Sequence, residues 1–60
     1  MNFNEHILWL TYTTSTEKVY FITSDKYRDM YYLWKNVKGK PTITKYSAED
    51  PTDLYKYFKE

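Results

Sequence analysis

Ser24-Asp25-Lys26-Tyr27-Arg28-Asp29-Met30-Tyr31-Tyr32-Leu33-Trp34-Lys35-Asn36-Val37-Lys38-Gly39 decides the fold, because it reads two ways. As a helix, Ser24 or Asp25 is the N-cap, and Asp25 also complements the positive end of the helix dipole. Tyr27, Met30, Tyr31, Trp34 and Val37 then recur at helical spacing as one apolar stripe. Lys35 and Lys38 occupy the last turn, and Gly39 offers the left-handed residue that commonly ends a helix. As a strand, Met30, Tyr32 and Trp34 share one face, opposite Asp29, Tyr31 and Leu33, and Lys38-Gly39-Lys40 becomes a hairpin turn. Tyr-Tyr-Leu-Trp has good strand propensity. We favour the helix, because start, stripe and stop agree and the strand puts Asp29 on an apolar face.

Upstream, His6-Ile7-Leu8-Trp9-Leu10-Thr11-Tyr12-Thr13 is rich in β-branched and aromatic residues. Both of its faces are largely apolar, which suits a central strand or one that meets a partner. Thr14-Ser15-Thr16-Glu17 reads as a turn and Lys18-Val19-Tyr20-Phe21-Ile22-Thr23 as a second strand, giving an antiparallel hairpin. Downstream, Pro41-Thr42-Ile43-Thr44-Lys45-Tyr46 reads as a strand whose proline sits at its start or on an edge. Asp50-Pro51-Thr52-Asp53 is a helix start: an Asp cap, proline at the first position and a second carboxylate in the first turn. Leu54, Tyr57 and Phe58 form that helix's apolar side. The expected fold is α+β, a small antiparallel sheet with a helix on one face in the order β-β-α-β-α. Its alternative is a four-stranded antiparallel meander with a C-terminal helix. Residues 1–60 form a single domain.

Composition bounds the function. Eight Tyr, three Phe and two Trp outnumber the Leu, Ile and Val residues together. A domain of this length buries only about 60% of the surface its unfolded chain exposes, so some rings must be at the surface. Tyr and Trp tolerate such a place, and exposed clusters of them mark interfaces. The chain has no Cys, so neither disulfides nor thiolate metal sites support the fold. A small domain without these aids often depends on a partner, and a homodimer is expected. The longest early apolar run, Ile7–Leu10, is far short of the roughly 18 residues of a membrane span. The chain reads as cytoplasmic, with no membrane association.

Net charge is +1, distributed as −2 over residues 1–25, +5 over 26–45 and −2 over 46–60. A basic middle between mildly acidic ends could dock an anionic surface, but a solvated, charge-mixed exterior is the favoured reading. No catalytic constellation is visible. His6 is the only histidine, and with Glu5 it lacks the ligand count of a metal site. Gly39 is the only glycine, which excludes a glycine-rich phosphate loop. Capping accounts for Asp50 and Asp53 without an acid pair. The reading is therefore a non-enzyme without cofactors, acting through rings.

Part of the chain carries a resemblance. Glu17-Lys18-Val19-Tyr20-Phe21 is similar to a Gly-Lys-Gln-Tyr-Tyr second-strand start. Ser24-Asp25, then Tyr27, Met30 and Tyr31, is similar to a Ser-Asp-Phe stretch followed by a Leu-Tyr pair. Both belong to the small uracil-DNA glycosylase inhibitors of phi29-like Bacillus phages, which this chain resembles over roughly half its length, with one gap and the inserted Lys26. The resemblance implies a phage-type homodimer in the host cytoplasm that blocks the enzyme's DNA-binding cleft, as a DNA mimic does. By position, Tyr27 would be the ring that fills the enzyme's pocket and Tyr31 its neighbour. Arg28 stands where the family has an acidic residue, so ring insertion would supply more of the affinity than charge, helped by Asp25, Asp29, Glu17 or the acidic ends. The expected partner-binding residues are Tyr27, Tyr31, Tyr32, Trp34, Asp25 and Asp29. Trp9, Tyr12, Phe21 and Phe58 are expected to build the core or close a dimer. The alternatives are a single-stranded nucleic-acid binder, with rings for stacking and lysines for phosphates, and an interaction protein for another host factor.

Overall fold

A computed structural model describes residues 2–58. Four strands follow one another as a meander: β1 (Ile7–Thr13), β2 (Val19–Ser24), β3 (Tyr31–Val37) and β4 (Lys40–Ala48), in the spatial order β1-β2-β3-β4. All neighbours are antiparallel. One 3₁₀ turn, Phe3–Glu5, precedes the sheet, and a 3₁₀ helix, Pro51–Tyr57, follows it.

The helix expected between Asp25 and Gly39 does not form, and the β-β-α-β-α order is corrected to a four-stranded meander. The capping signal is real but closes a single turn. The Asp25 carboxylate accepts from the backbone N–H of Tyr27 at 3.1 Å and of Asp29 at 3.3 Å. Arg28 then adopts φ 61°, a left-handed conformation that stops any helix. The strand begins only at Tyr31, so Asp29 remains in the turn and the objection to a strand disappears. The stop signal is equally real and equally local. Lys38 and Gly39 have φ of 52° and 82° and join Val37 to its partner Lys40. Two consecutive positive φ values make the type I′ turn whose twist matches paired strands.

Each face of the sheet has its own thin cover. On one face Ile22 and Leu33 are buried under Leu54 of the C-terminal 3₁₀ helix. Leu10, Tyr20, Tyr31, Tyr46, Ala48, Tyr57 and Phe58 pack around them. That helix starts as the sequence indicates, with the Asp50 carboxylate accepting from Thr52 N at 2.9 Å and Thr52 Oγ1 at 2.8 Å. These bonds, the backbone one foremost, hold the Asp50 carboxyl below the usual carboxylate range. On the other face Phe3 meets Phe21 and Trp34 edge to face, with centroids 5.4 and 5.1 Å apart. His6 sits edge-on to Trp34 at 5.7 Å.

Two hydroxyls at the end of β2 tie these layers to the sheet. Thr23 and Ser24 are fully buried and, as neighbours in a strand, point to opposite faces. Trp34 Nε1 donates to Thr23 Oγ1 at 2.8 Å, and Thr23 Oγ1 lies 2.8 Å from His6 Nδ1. The Thr23 hydroxyl, one donor and two acceptor sites, can therefore serve Trp34 and His6 together. Trp9 Nε1 donates to Ser24 Oγ at 2.8 Å, and Ser24 passes its hydrogen to the Asp25 carbonyl at 3.1 Å. Among the described residues no buried side-chain polar atom lacks a partner.

Three outcomes follow from this arrangement. Thr23→Val keeps the shape but strands the buried Trp34 indole N–H and removes the His6 partner, and chemical denaturation should show a loss of about 1–3 kcal/mol. Lys38→Asn gives the turn a residue that accepts positive φ, and should raise stability by a few tenths to about 1 kcal/mol in the same measurement. Because the Asp50 carboxyl is lowered by its cap, its contribution is present above the ordinary carboxylate range and fades as pH falls through the lowered value. Asp50→Asn should therefore flatten the acid limb of a stability-versus-pH curve.

Candidate functional site

The turn between β2 and β3 presents the most exposed ring. Tyr27 is 70% exposed, yet its backbone N–H is bonded to Asp25, so an open side chain stands on a fixed base. Lys26 Nζ lies 5.1 Å from the Tyr27 ring centroid. Beside it is a shallow cavity of about 510 Å³ lined by Glu5, His6, Asp25, Lys26 and Tyr27. Arg28, one residue on, sets its guanidinium 5.4 Å from the centre of the Trp9 ring.

The other residues expected to bind a partner divide. Tyr31 is half-buried and meets Trp9 edge to face at 5.8 Å. Tyr32 is half-buried on the opposite face, 5.3 Å from the His6 ring. Asp29 is exposed, while Asp25 is partly buried and occupied as the turn's cap. Trp34 is 3% exposed and is not available to a partner. A helical stripe would have put Tyr27, Tyr31 and Trp34 together. The strand instead sends Tyr31 and Tyr32 to opposite faces and buries Trp34 under Phe3.

The rings expected in the core or a dimer also divide. Phe21 and Phe58 are half-buried against other rings; Phe58 stacks on Tyr12 at 4.6 Å and tilts onto Tyr20 at 5.4 Å. Trp9 and Tyr12 are exposed on β1, together with Leu8 at 51%. Their exposure has a simple cause. β1 is an edge strand, and the register slips between Leu8 and Leu10, which frees Trp9 from strict alternation. The two apolar faces visible in the sequence of β1 are the one signal for this surface.

Sequence reasoning missed a second cavity, of about 370 Å³, on the face that the C-terminal helix covers. Tyr20, Leu33, Lys35, Ile43, Thr44, Lys45, Tyr46 and Tyr57 line it. It exists because β4 carries extra residues opposite Leu33: Tyr32 pairs with Ser47, but Trp34 pairs with Ile43. Thr44 stitches this irregularity, donating from Oγ1 to the Leu33 carbonyl at 2.7 Å and accepting from Tyr46 N at 3.2 Å. No sequence pattern announces such a bulge.

Among the described residues no group of three His, Asp or Glu could hold a metal ion. No helix among them is long and apolar enough to cross a membrane. Comparison with protein-family models, curated proteins and solved structures finds no match to the chain.

Proposed function

We infer that this chain is a non-enzymatic binding protein that grips a partner protein with Tyr27. One observation carries the reading: the most exposed large ring stands on a turn that Asp25 holds in place. An anchor that is already ordered loses little entropy on docking, and aromatic anchors supply much of the energy of compact interfaces. The partner to test first is uracil-DNA glycosylase, whose DNA-binding cleft Tyr27 would enter. The resemblance motivates that target through Ser24-Asp25, Tyr27 and Tyr31, although the helix it implied is replaced by a turn and a strand. In the same reading two copies pair along β1, the edge strand that has no charged residue between Ile7 and Thr13 and exposes Leu8, Trp9 and Tyr12.

Titration into a uracil-excision assay should abolish excision at micromolar protein. Tyr27→Ala should weaken the inhibition by about 2 kcal/mol or more, roughly thirtyfold, while Val37→Ala leaves it unchanged. Undiminished excision at a large excess of protein would remove the glycosylase as the target. Inhibition indifferent to Tyr27→Ala would remove Tyr27 as the anchor. In sedimentation equilibrium the chain should run as a dimer, and Leu8→Lys should shift it to monomer by placing like charges across the contact. A monomer at all concentrations would refute the pairing.

A further inference from the structure

The cavity beside the β4 bulge lies away from Tyr27. Tyr20 and Lys35, which pair across β2 and β3, mark its position toward the other end of the sheet from the Asp25 turn. Its chemistry also differs. Leu33 and Ile43 contribute apolar surface; Tyr20, Tyr46 and Tyr57 contribute rings; Lys35 and Lys45 contribute two ammonium groups. Tyr46 and Tyr57 stack with centroids 3.8 Å apart, which makes a stiff wall. Lys45 Nζ is 5.6 Å from the Tyr46 centroid, so one charge is held against the ring that lines the cavity. Both lysines are exposed at the cavity's rim.

We propose that this cavity binds a nucleotide: a planar ring carrying a phosphate, either free or as a unit of a single strand. Three features select that class. The volume of about 370 Å³ falls in the range of small-ligand sites. An aliphatic and tyrosine lining accepts the flat apolar surface of a base, as stacking platforms do. Lys35 and Lys45 supply the counter-charge a phosphate needs, through charge-assisted contacts. The bulge is the device that brings these groups together. It turns Thr44, Lys45 and Tyr46 out of simple register with Leu33, and such irregularities commonly re-aim side chains at sites. The inference is independent of the partner-protein reading, because it uses none of the residues around Tyr27.

Adenosine 5′-monophosphate should be titrated into ¹⁵N-labelled protein and followed by amide chemical shifts. Saturable shifts centred on Leu33, Thr44 and Tyr46 are expected, with a dissociation constant of about 1 mM or tighter. Adenosine alone and inorganic phosphate alone should each bind at least about tenfold more weakly, since each supplies half of the recognition. Replacing both lysines, Lys35→Gln with Lys45→Gln, should weaken the nucleotide about tenfold or more, whereas Lys26→Gln, at the other end of the sheet, should not. All three lysines are exposed, so these variants should fold, and their unperturbed spectra would show it. A hexadeoxyadenylate that binds tighter, with an affinity falling steeply with salt, would identify a single strand as the source. Equal binding of the two would identify the free nucleotide. Absence of saturable shifts at ~10 mM nucleotide, phosphate matching the nucleotide, or shifts confined to Glu5, His6 and Tyr27 would each overturn the proposal.

Discussion

Thr23 and Ser24 are the constraint on which the rest depends. Both hydroxyls are fully buried in the second strand, and a buried hydroxyl without a partner costs about 1–3 kcal/mol. Each accepts from an indole, one on each face, and each makes a second bond, Thr23 with His6 Nδ1 and Ser24 to the Asp25 carbonyl. These bonds fix four things at once. They set which face Trp34 occupies, where the N-terminal segment crosses the sheet, how Trp9 folds over the edge and where the turn after Ser24 begins. A sheet of four short strands has few other ways to specify the position of its covers.

The ring excess has a structural use that precedes any functional one. Neither face of the sheet has a long amphipathic helix against it. The N-terminal cover is a single 3₁₀ turn with Phe3 and the adjoining His6, and the C-terminal cover is a seven-residue 3₁₀ helix. A small cover must remove much area per residue, and aromatic side chains remove the most. Phe3 on Phe21 and Trp34, Phe58 between Tyr12 and Tyr20, and Tyr46 on Tyr57 are the result. The rings left over are the informative ones. Tyr27 belongs to no stack or edge contact with another ring among the described residues, and Leu8 and Trp9 are left open on an edge.

Much of this fold was legible in the sequence. The β1–β2 hairpin, the cap at Asp50 with Pro51 behind it, and the strand after Gly39 stand where residue chemistry puts them. The middle was not legible, for a definite reason. Each of its three helix signals has a local double. An Asp that caps a helix also caps one turn. A stripe at helical spacing in a segment with five large apolar residues also fills both faces of a central strand. A Gly that ends a helix also makes a type I′ turn. What separates the cases is pairing with β2 and β4, which is a property of distant residues. The same limit applies to the site. Tyr27 could be anticipated from its neighbourhood, but the burial of Trp34 depends on Phe3, and the cavity at Lys35 and Lys45 depends on a register slip in β4.

The two edges of the sheet differ in a way that bears on how the surface is used. β4 bears Lys40, Pro41 and Lys45 and is broken by its bulge, the usual means by which an edge avoids pairing with other chains. β1 has a register slip near its start but no charge and no proline from Ile7 to Thr13. A chain that guards one edge and leaves the other apolar has its free backbone groups on a side where pairing is tolerated. Trp9 shows how that edge is joined to the turn that holds Tyr27. Its indole is bonded to Ser24, its ring meets Tyr31, and the Arg28 guanidinium lies over it. One side chain on the β1 edge thus touches both Ser24, where the Asp25 turn begins, and Arg28 within it.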